Sequence, residues 1–225
     1  IHLGRANANK LFFRFLKKAV SHYDVRLATV EGGSLRNAIP REVSALVTVP
    51  ADRVADVEQL VREHEALYRA EYKGVEGDIR FTAERTADRP ATLIPEEIQD
   101  DLINAVEGCP NGPISMLHDF PGTVESSSNL AIVKSDDAGR IDVKILVRSS
   151  SESRKDALCS SIESVFSLAG AKVELSNPYG GWQPNIDSPI LRTMESAYES
   201  LFGRKPDVTV MHAGLECGII QEAYP

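Results

Sequence analysis

The residues with which this chain of 225 could do chemistry include five histidines and three cysteines. His2, His22, His64, His118 and His212 are scattered along the sequence. None stands in the His-x-Glu or HExxH spacing that brings zinc ligands to one helix face or one turn. Cys109, Cys159 and Cys217 are odd in number, far apart and without a CxxC pair. A disulfide framework or structural zinc site is therefore not expected, and a reducing compartment is. There is no GxSxG elbow, P-loop or GxGxxG turn. A metal site gathered from distant residues stays open as an alternative. Taken alone, these motifs describe a soluble α/β module whose role is open.

Composition narrows the partners. The net charge is −8, whereas phosphate-backbone binding needs clustered Lys and Arg. Lys17-Lys18 and Arg204-Lys205 are too short to form a basic stripe and read as solvated helix ends. Nucleic acid is not an expected partner. No apolar run approaches the roughly 18 residues of a membrane span, and no signal peptide is visible. With 42% hydrophobic residues, the chain can bury one large core or two small ones. It opens on Ile1 rather than Met, helical character starts almost at once, and Glu216 to Pro225 stops without a closing element. An excised internal segment is the expectation.

The elements that must position any site follow from periodicity. Leu11, Phe12, Phe15, Leu16 and Ala19 share one face of a helix over about 5–20. A strand follows from Tyr23 to Glu31, ended by Gly32-Gly33, and a second over about 42–49 with Val43, Ala45, Val47 and Val49 at period two. Pro50 and Asp52 open a helix carrying Val54, Val57, Val61 and Tyr68. Ile79 to Arg85 is expected as a short strand. The order then repeats. Pro95 starts a helix to about Val106, and a Gly/Pro-rich loop spans 108–113. An extended piece, Ile114 to His118, comes next. Strands follow at about 129–135 and 141–148 around the turn Asp136-Asp137-Ala138-Gly139. Ser151 and Glu152 begin a helix burying Leu158, Ile162, Val165, Phe166 and Ala169; Gly170 caps it, and Lys172 to Ser176 is the last strand.

The repeated order predicts an α+β fold of two related ferredoxin-like sandwiches, each an antiparallel sheet with helices on one face. The first half is placed at 1–90 and the second at 91–178. A third region, 179–225, contains a Gly/Pro loop with Trp182, a helix from Pro189 to Phe202, a short strand from Val208 to Met211, and the glycine turn after His212. Strand, glycine turn and helix there suggest a chain entering a different sheet.

Four stretches carry a resemblance: Ile1-His2-Leu3-Gly4-Arg5-Ala6-Asn7-Ala8, Gly32-Gly33-Ser34-Leu35-Arg36-Asn37-Ala38-Ile39-Pro40, His118-Asp119-Phe120-Pro121-Gly122-Thr123-Val124-Glu125-Ser126-Ser127-Ser128-Asn129-Leu130 and His212-Ala213-Gly214-Leu215-Glu216-Cys217-Gly218. In their order and extent they resemble the lid, or dimerisation, domain of the Xaa-His dipeptidase family. The resemblance implies a parent metallodipeptidase of the cytoplasm. Its separate catalytic domain would hold two bridged zinc ions that polarise the peptide carbonyl and activate water, with a Glu as general base. The metal ligands would lie outside Ile1–Pro225, so this segment would bind no metal and hydrolyse nothing by itself. Expected partners are a dipeptide substrate, the parent catalytic domain and a second copy of the chain; no membrane is expected.

The resemblance also assigns residues. His118, on an exposed turn before Pro121-Gly122, would donate a hydrogen bond to the oxyanion; otherwise it is a surface loop histidine. Arg148, ending an alternating strand, would grip the substrate carboxylate with two parallel hydrogen bonds, or else pair with a nearby acid. Asn7 would contact substrate or steady the oxyanion loop, unless it only caps its helix. Gly214 would bring backbone N–H groups to the substrate carboxylate, a role compatible with a tight turn. His212 and Glu216 receive no role, and Trp182 either anchors its loop or lines a pocket. Two rivals compete with this substrate clamp. One is a purely structural dimerisation module. The other is a small-molecule regulatory domain, argued from fold analogy alone.

Overall fold

The structure, a computed structural model, describes residues 1–136, 138–176, 181, 184–212 and 220. Trp182 and the expected turn and helix after His212, Gly214 and Glu216 included, lie outside the described residues. Helix α1 spans Ala8–Tyr23 and β1 Arg26–Gly32; β2 spans Val43–Thr48 and α2 Val54–Glu71. Then follow α3 Glu96–Gly108, β3 Gly112–Met116, β4 Val124–Ser135, β5 Ile141–Ser149, α4 Glu152–Leu168 and α5 Pro189–Phe202.

The first helix forms as its sequence dictates. Asn7 is extended at the N-cap and accepts from the Lys10 amide. The stripe Leu11, Phe12, Phe15, Leu16 and Ala19 is buried, with Phe13 and Leu16 fully so; complete burial of such side chains stabilises by about 1.5–3 kcal/mol each. Asp24 ends the helix in the left-handed region at φ 54, which Asp tolerates better than most residues.

All five strands lie in one antiparallel sheet. The first half contributes β2-β1 and the second β4-β5, with β3 on the N-terminal part of β4. The α+β class and the two antiparallel half-units are those expected. What the sequence does not announce is that the halves join edge to edge, through Glu31↔Lys134 and Gly32↔Val133. Helix contacts α2·α1, α1·α3 and α3·α4 run in the same order as β2-β1-β4-β5, so the halves meet about an approximate two-fold between β1 and β4. One core joins both halves, from Phe13, Leu16 and Val30 through Val106 and Leu130 to Leu158 and Phe166.

At this seam side chains stand where a strand would be. β1 and β3 share one edge of β4, and Leu130 falls in the gap between them. Its amide donates to Asn111 Oδ1 at 2.9 Å. Its carbonyl accepts from Asn7 Nδ2 at 3.0 Å and Asn9 Nδ2 at 3.5 Å. On the β1 side, the Leu27 amide donates to the buried Gln99 Oε1 at 2.7 Å, and the Val30 amide to Ser135 Oγ at 2.9 Å. Backbone groups buried at the join are thereby paired, as burial demands. Gly33, at φ +75, lies against the Ala131 carbonyl of β4, which leaves no room for a Cβ.

Three expected strands are not strands. Residues 79–85, 172–176 and 208–211 make no ladder. The first runs along α2: Arg69 Nε donates to the Ile79 carbonyl at 2.7 Å, the Phe81 amide to Glu65 Oε2 at 3.1 Å, and the Phe81 ring packs on Phe15 and Tyr68. Helix α5 forms between Pro189 and Gly203 as expected, but it buries no residue. Ile190, Met194, Leu201 and Phe202 are exposed on it.

Candidate functional site

The second half builds the site. β4 begins with a polar run inside an otherwise apolar strand: Ser126, Ser127, Ser128 and Asn129 are all buried. Successive residues of a strand face opposite sides. Leu130 lies in the core and Ile145 and Val147 of β5 pack against it. Ser127 and Asn129, with their register partners Arg148 and Leu146, therefore face the helix-free side. There they line a cleft of about 500 Å³ together with Thr123, Met211 and His212.

His212 arrives from the return segment and fixes one wall. Its Nε2 lies 2.7 Å from Ser127 Oγ, and its backbone carbonyl accepts from Arg148 Nη1 at 3.4 Å. Burial, and then the neighbouring Arg148 charge, hold the imidazole below its ordinary pKa and so favour its uncharged form. Ser127 and His212 have the spacing of a nucleophile and its base. No acid among the described residues makes a hydrogen bond to the ring that would complete a triad. The pair forms part of the wall of the cleft.

Arg148 is half-buried at the end of β5 and also lines a second cleft of about 470 Å³, between β5, α4 and residues 174–176. Its Nε is buried and has no hydrogen-bond partner among the described residues. No ion pair between Arg148 and an acid is among the described residues' contacts. A buried N–H left unpaired is costly, and a planar guanidinium with a free donor is matched by a carboxylate.

The other assigned residues fall elsewhere. His118 is exposed in the β3–β4 hairpin. Leu117, Gly122, Thr123 and Val124 of that hairpin line the clefts, whereas His118 lines neither. Asn7 is buried at the seam, with Nδ2 donating to Asn111 Oδ1 at 3.2 Å and to the Leu130 carbonyl at 3.0 Å. Its reach toward the cleft is indirect: Asn129 Oδ1 lies 3.5 Å from Asn7 Nδ2, and Asn129 lines the cleft. Asn129 also donates to the Ala38 carbonyl at 2.8 Å, tying the Asn37–Pro40 turn to the same strand. Gly214 lies outside the described residues.

Sequence reasoning singles out neither Ser127, which meets His212, nor Asn129. The signal for them was the polar run 126–129 in a strand that should be apolar. Among the described residues no group of three or more His, Cys, Asp or Glu side chains could hold a metal ion. No helix among them is long and apolar enough to cross a membrane.

Residues 1–76 match the family described as peptidase dimerisation domain. The cytosol non-specific dipeptidase of Escherichia coli (strain K12) is 37% identical over 225 residues, which cover 100% of this chain and 46% of that protein. The crystal structure of aminoacylhistidine dipeptidase from Vibrio alginolyticus has a TM-score of 0.90 at 38% identity, over 97% of this chain and 44% of that one. The chain thus spans less than half the length of these relatives.

Proposed function

We propose that this chain, whose residues 1–76 belong to the peptidase dimerisation domain family, is the lid and substrate clamp of a cytoplasmic dipeptidase. The similarity to two dipeptidases extends over 100% and 97% of the chain. The observation that carries the clamp is Arg148: a half-buried guanidinium at the edge of two clefts, with a buried Nε–H lacking an acceptor among the described residues. A dipeptide's C-terminal carboxylate supplies that acceptor. Ser127, holding His212 at 2.7 Å, keeps the neighbouring wall in place while the carboxylate is bound. His118 stands on the hairpin beside the cleft and would reach the scissile carbonyl when the parent's domains close over substrate. In that position it would donate a hydrogen bond to the developing oxyanion. The zinc ions belong in this reading to the rest of the parent, as the family resemblance implies, and no step here runs through them. The segment alone is expected to be inactive, and homodimerisation is expected of the parent.

The test is turnover of a Xaa-His dipeptide by the intact parent with zinc. His118→Ala should lower kcat by about 10²–10³, the range for removal of an oxyanion donor. Arg148→Lys keeps the charge but loses the fork, so KM should rise with kcat less affected. If both variants turn over substrate like wild type, with folding unchanged, the domain is a dimerisation element only.

A further inference from the structure

The loop between α3 and β3 carries the one Asn-Gly pair of the sequence, Asn111-Gly112. The fold demands each residue separately. Gly112 stands at φ +94, where an added Cβ would meet nothing within 4 Å. Backbone conformation, not crowding, therefore calls for glycine. Asn111 Oδ1 accepts from the Leu130 amide at 2.9 Å and from Asn7 Nδ2 at 3.2 Å. The first half grips this loop a second time. Lys10 Nζ donates to the Val106, Glu107 and Cys109 carbonyls at 2.7, 2.8 and 3.2 Å, as a cation does at the end of a helix. Asn7 caps α1 and Lys10 lies on it, so two of the loop's anchors come from across the seam.

We propose that Asn111 is a modification site gated by the seam: it deamidates when the two halves part, and its isoaspartyl product keeps them from rejoining. The inference does not rest on the clamp. Asparagine is thermolabile, and before glycine it cyclises readily, because no side chain stands beside the attacking nitrogen. The Gly112 nitrogen bonds to Asn111 Cγ, the Cγ–Nδ2 bond breaks, and ammonia leaves with the proton that the Gly112 amide gives up. Water then opens the succinimide at either carbonyl, giving aspartate or isoaspartate. Solvent water is the sole co-reactant. While the halves are docked, the first step is opposed. Drawing Cγ onto the Gly112 nitrogen takes Oδ1 from its donors and leaves the amide of the fully buried Leu130 unpaired, which is costly. Once they part, the loop loses Asn7 and the Lys10 cap and cyclises as an open chain does. The two products then differ. Aspartate at 111 still offers an oxygen to Leu130 and Asn7. Isoaspartate runs the main chain through the former side chain, lengthens it by a methylene, and displaces Gly112 from its pairing with Ser128.

Timed incubation of the intact parent near neutral pH, followed by peptide mapping with mass spectrometry, reads the rate at Asn111. Native wild type should deamidate there at least about tenfold more slowly than the same protein unfolded in urea, the scale set by one buried amide left unpaired. Asn7→Ala and Lys10→Met each loosen the grip of the first half, and each should speed native deamidation at least about fivefold, the factor for one hydrogen bond. Asn111→Asp should refold from urea as wild type does, whereas chains with isoaspartate at 111 should not regain the native circular dichroism. Equal rates in native and unfolded wild type would overturn the gate. Folded variants that deamidate no faster than wild type would overturn it too. Isoaspartyl chains that refold like wild type would overturn the block on rejoining.

Discussion

Asn7→Ala separates a structural asparagine from a substrate-binding one. The Asn7 side chain does two jobs at the seam. Its Oδ1 accepts from the Lys10 amide at 3.2 Å, and loss of an N-cap acceptor costs about 1 kcal/mol. Its Nδ2 donates to the buried Leu130 carbonyl at 3.0 Å, where the only other described donor is Asn9 at 3.5 Å. Leaving that carbonyl short of a partner costs about 1–3 kcal/mol. The two together give about 2–4 kcal/mol, or a fall in Tm of roughly 4–16 °C for a chain of this size. Urea unfolding followed by far-UV circular dichroism, with a thermal melt beside it, reads both quantities. Asn7→Ser retains a capping oxygen and loses the donor, so it should recover about 1 kcal/mol of the loss. A stability change for Asn7→Ala below about 0.5 kcal/mol, the scale of an ordinary surface substitution, would refute the network as the residue's role. A fall in parent turnover at unchanged stability would then return Asn7 to the substrate.

Two further outcomes are expected. Gly33→Ala drives a Cβ into the Ala131 carbonyl at a backbone φ of +75, so it should cost more than about 3 kcal/mol or prevent soluble expression, since strain and overpacking add; expression and melting of the variant check this. Glu76, 8% exposed, has its carboxyl held below the usual range first by the hydrogen bond from Arg41, with burial opposing it. A depressed folded pKa means that the stabilisation is full above the unfolded carboxylate value and is lost as pH falls through the depressed one. Glu76→Gln should therefore flatten the acid limb of the stability–pH curve below about pH 4.5, measured by urea midpoints from pH 7 to 3.

Much of the scaffold is legible in the sequence because it is local. The α1 stripe, the alternation of β2 and β5, and the Pro189–Gly203 bounds of α5 are written in spacing and caps. Residues 79–85 have strand periodicity yet form no strand, because a ladder needs a neighbour as well as a pattern. The Leu130 bridge was invisible for a different reason. Asn7, Asn9 and Asn111 meet Leu130 across long stretches of chain, and nothing in an asparagine's flanks says which distant carbonyl it will serve. Arg148 could be placed at a strand end from sequence. Its neighbours Ser127 and His212 could not be joined to it, since their contact spans |i−j| = 85.

The seam also bears on the order in which the molecule assembles. Within each half, strands pair with their near neighbours: β1 with β2, and β4 with β5. Closing such short loops is fast. The seam joins Asn7 to Leu130 across |i−j| = 123 and Glu31 to Lys134, so closing it costs more chain entropy. When the halves dock, a strand edge would accept many registers. A carbonyl met by asparagine side chains, an amide met by Asn111 and a glycine pressed on a carbonyl accept one. Misaligned halves leave the Leu130 groups buried and unpaired. The asparagine bridge thus favours one docking of the two halves over slipped ones.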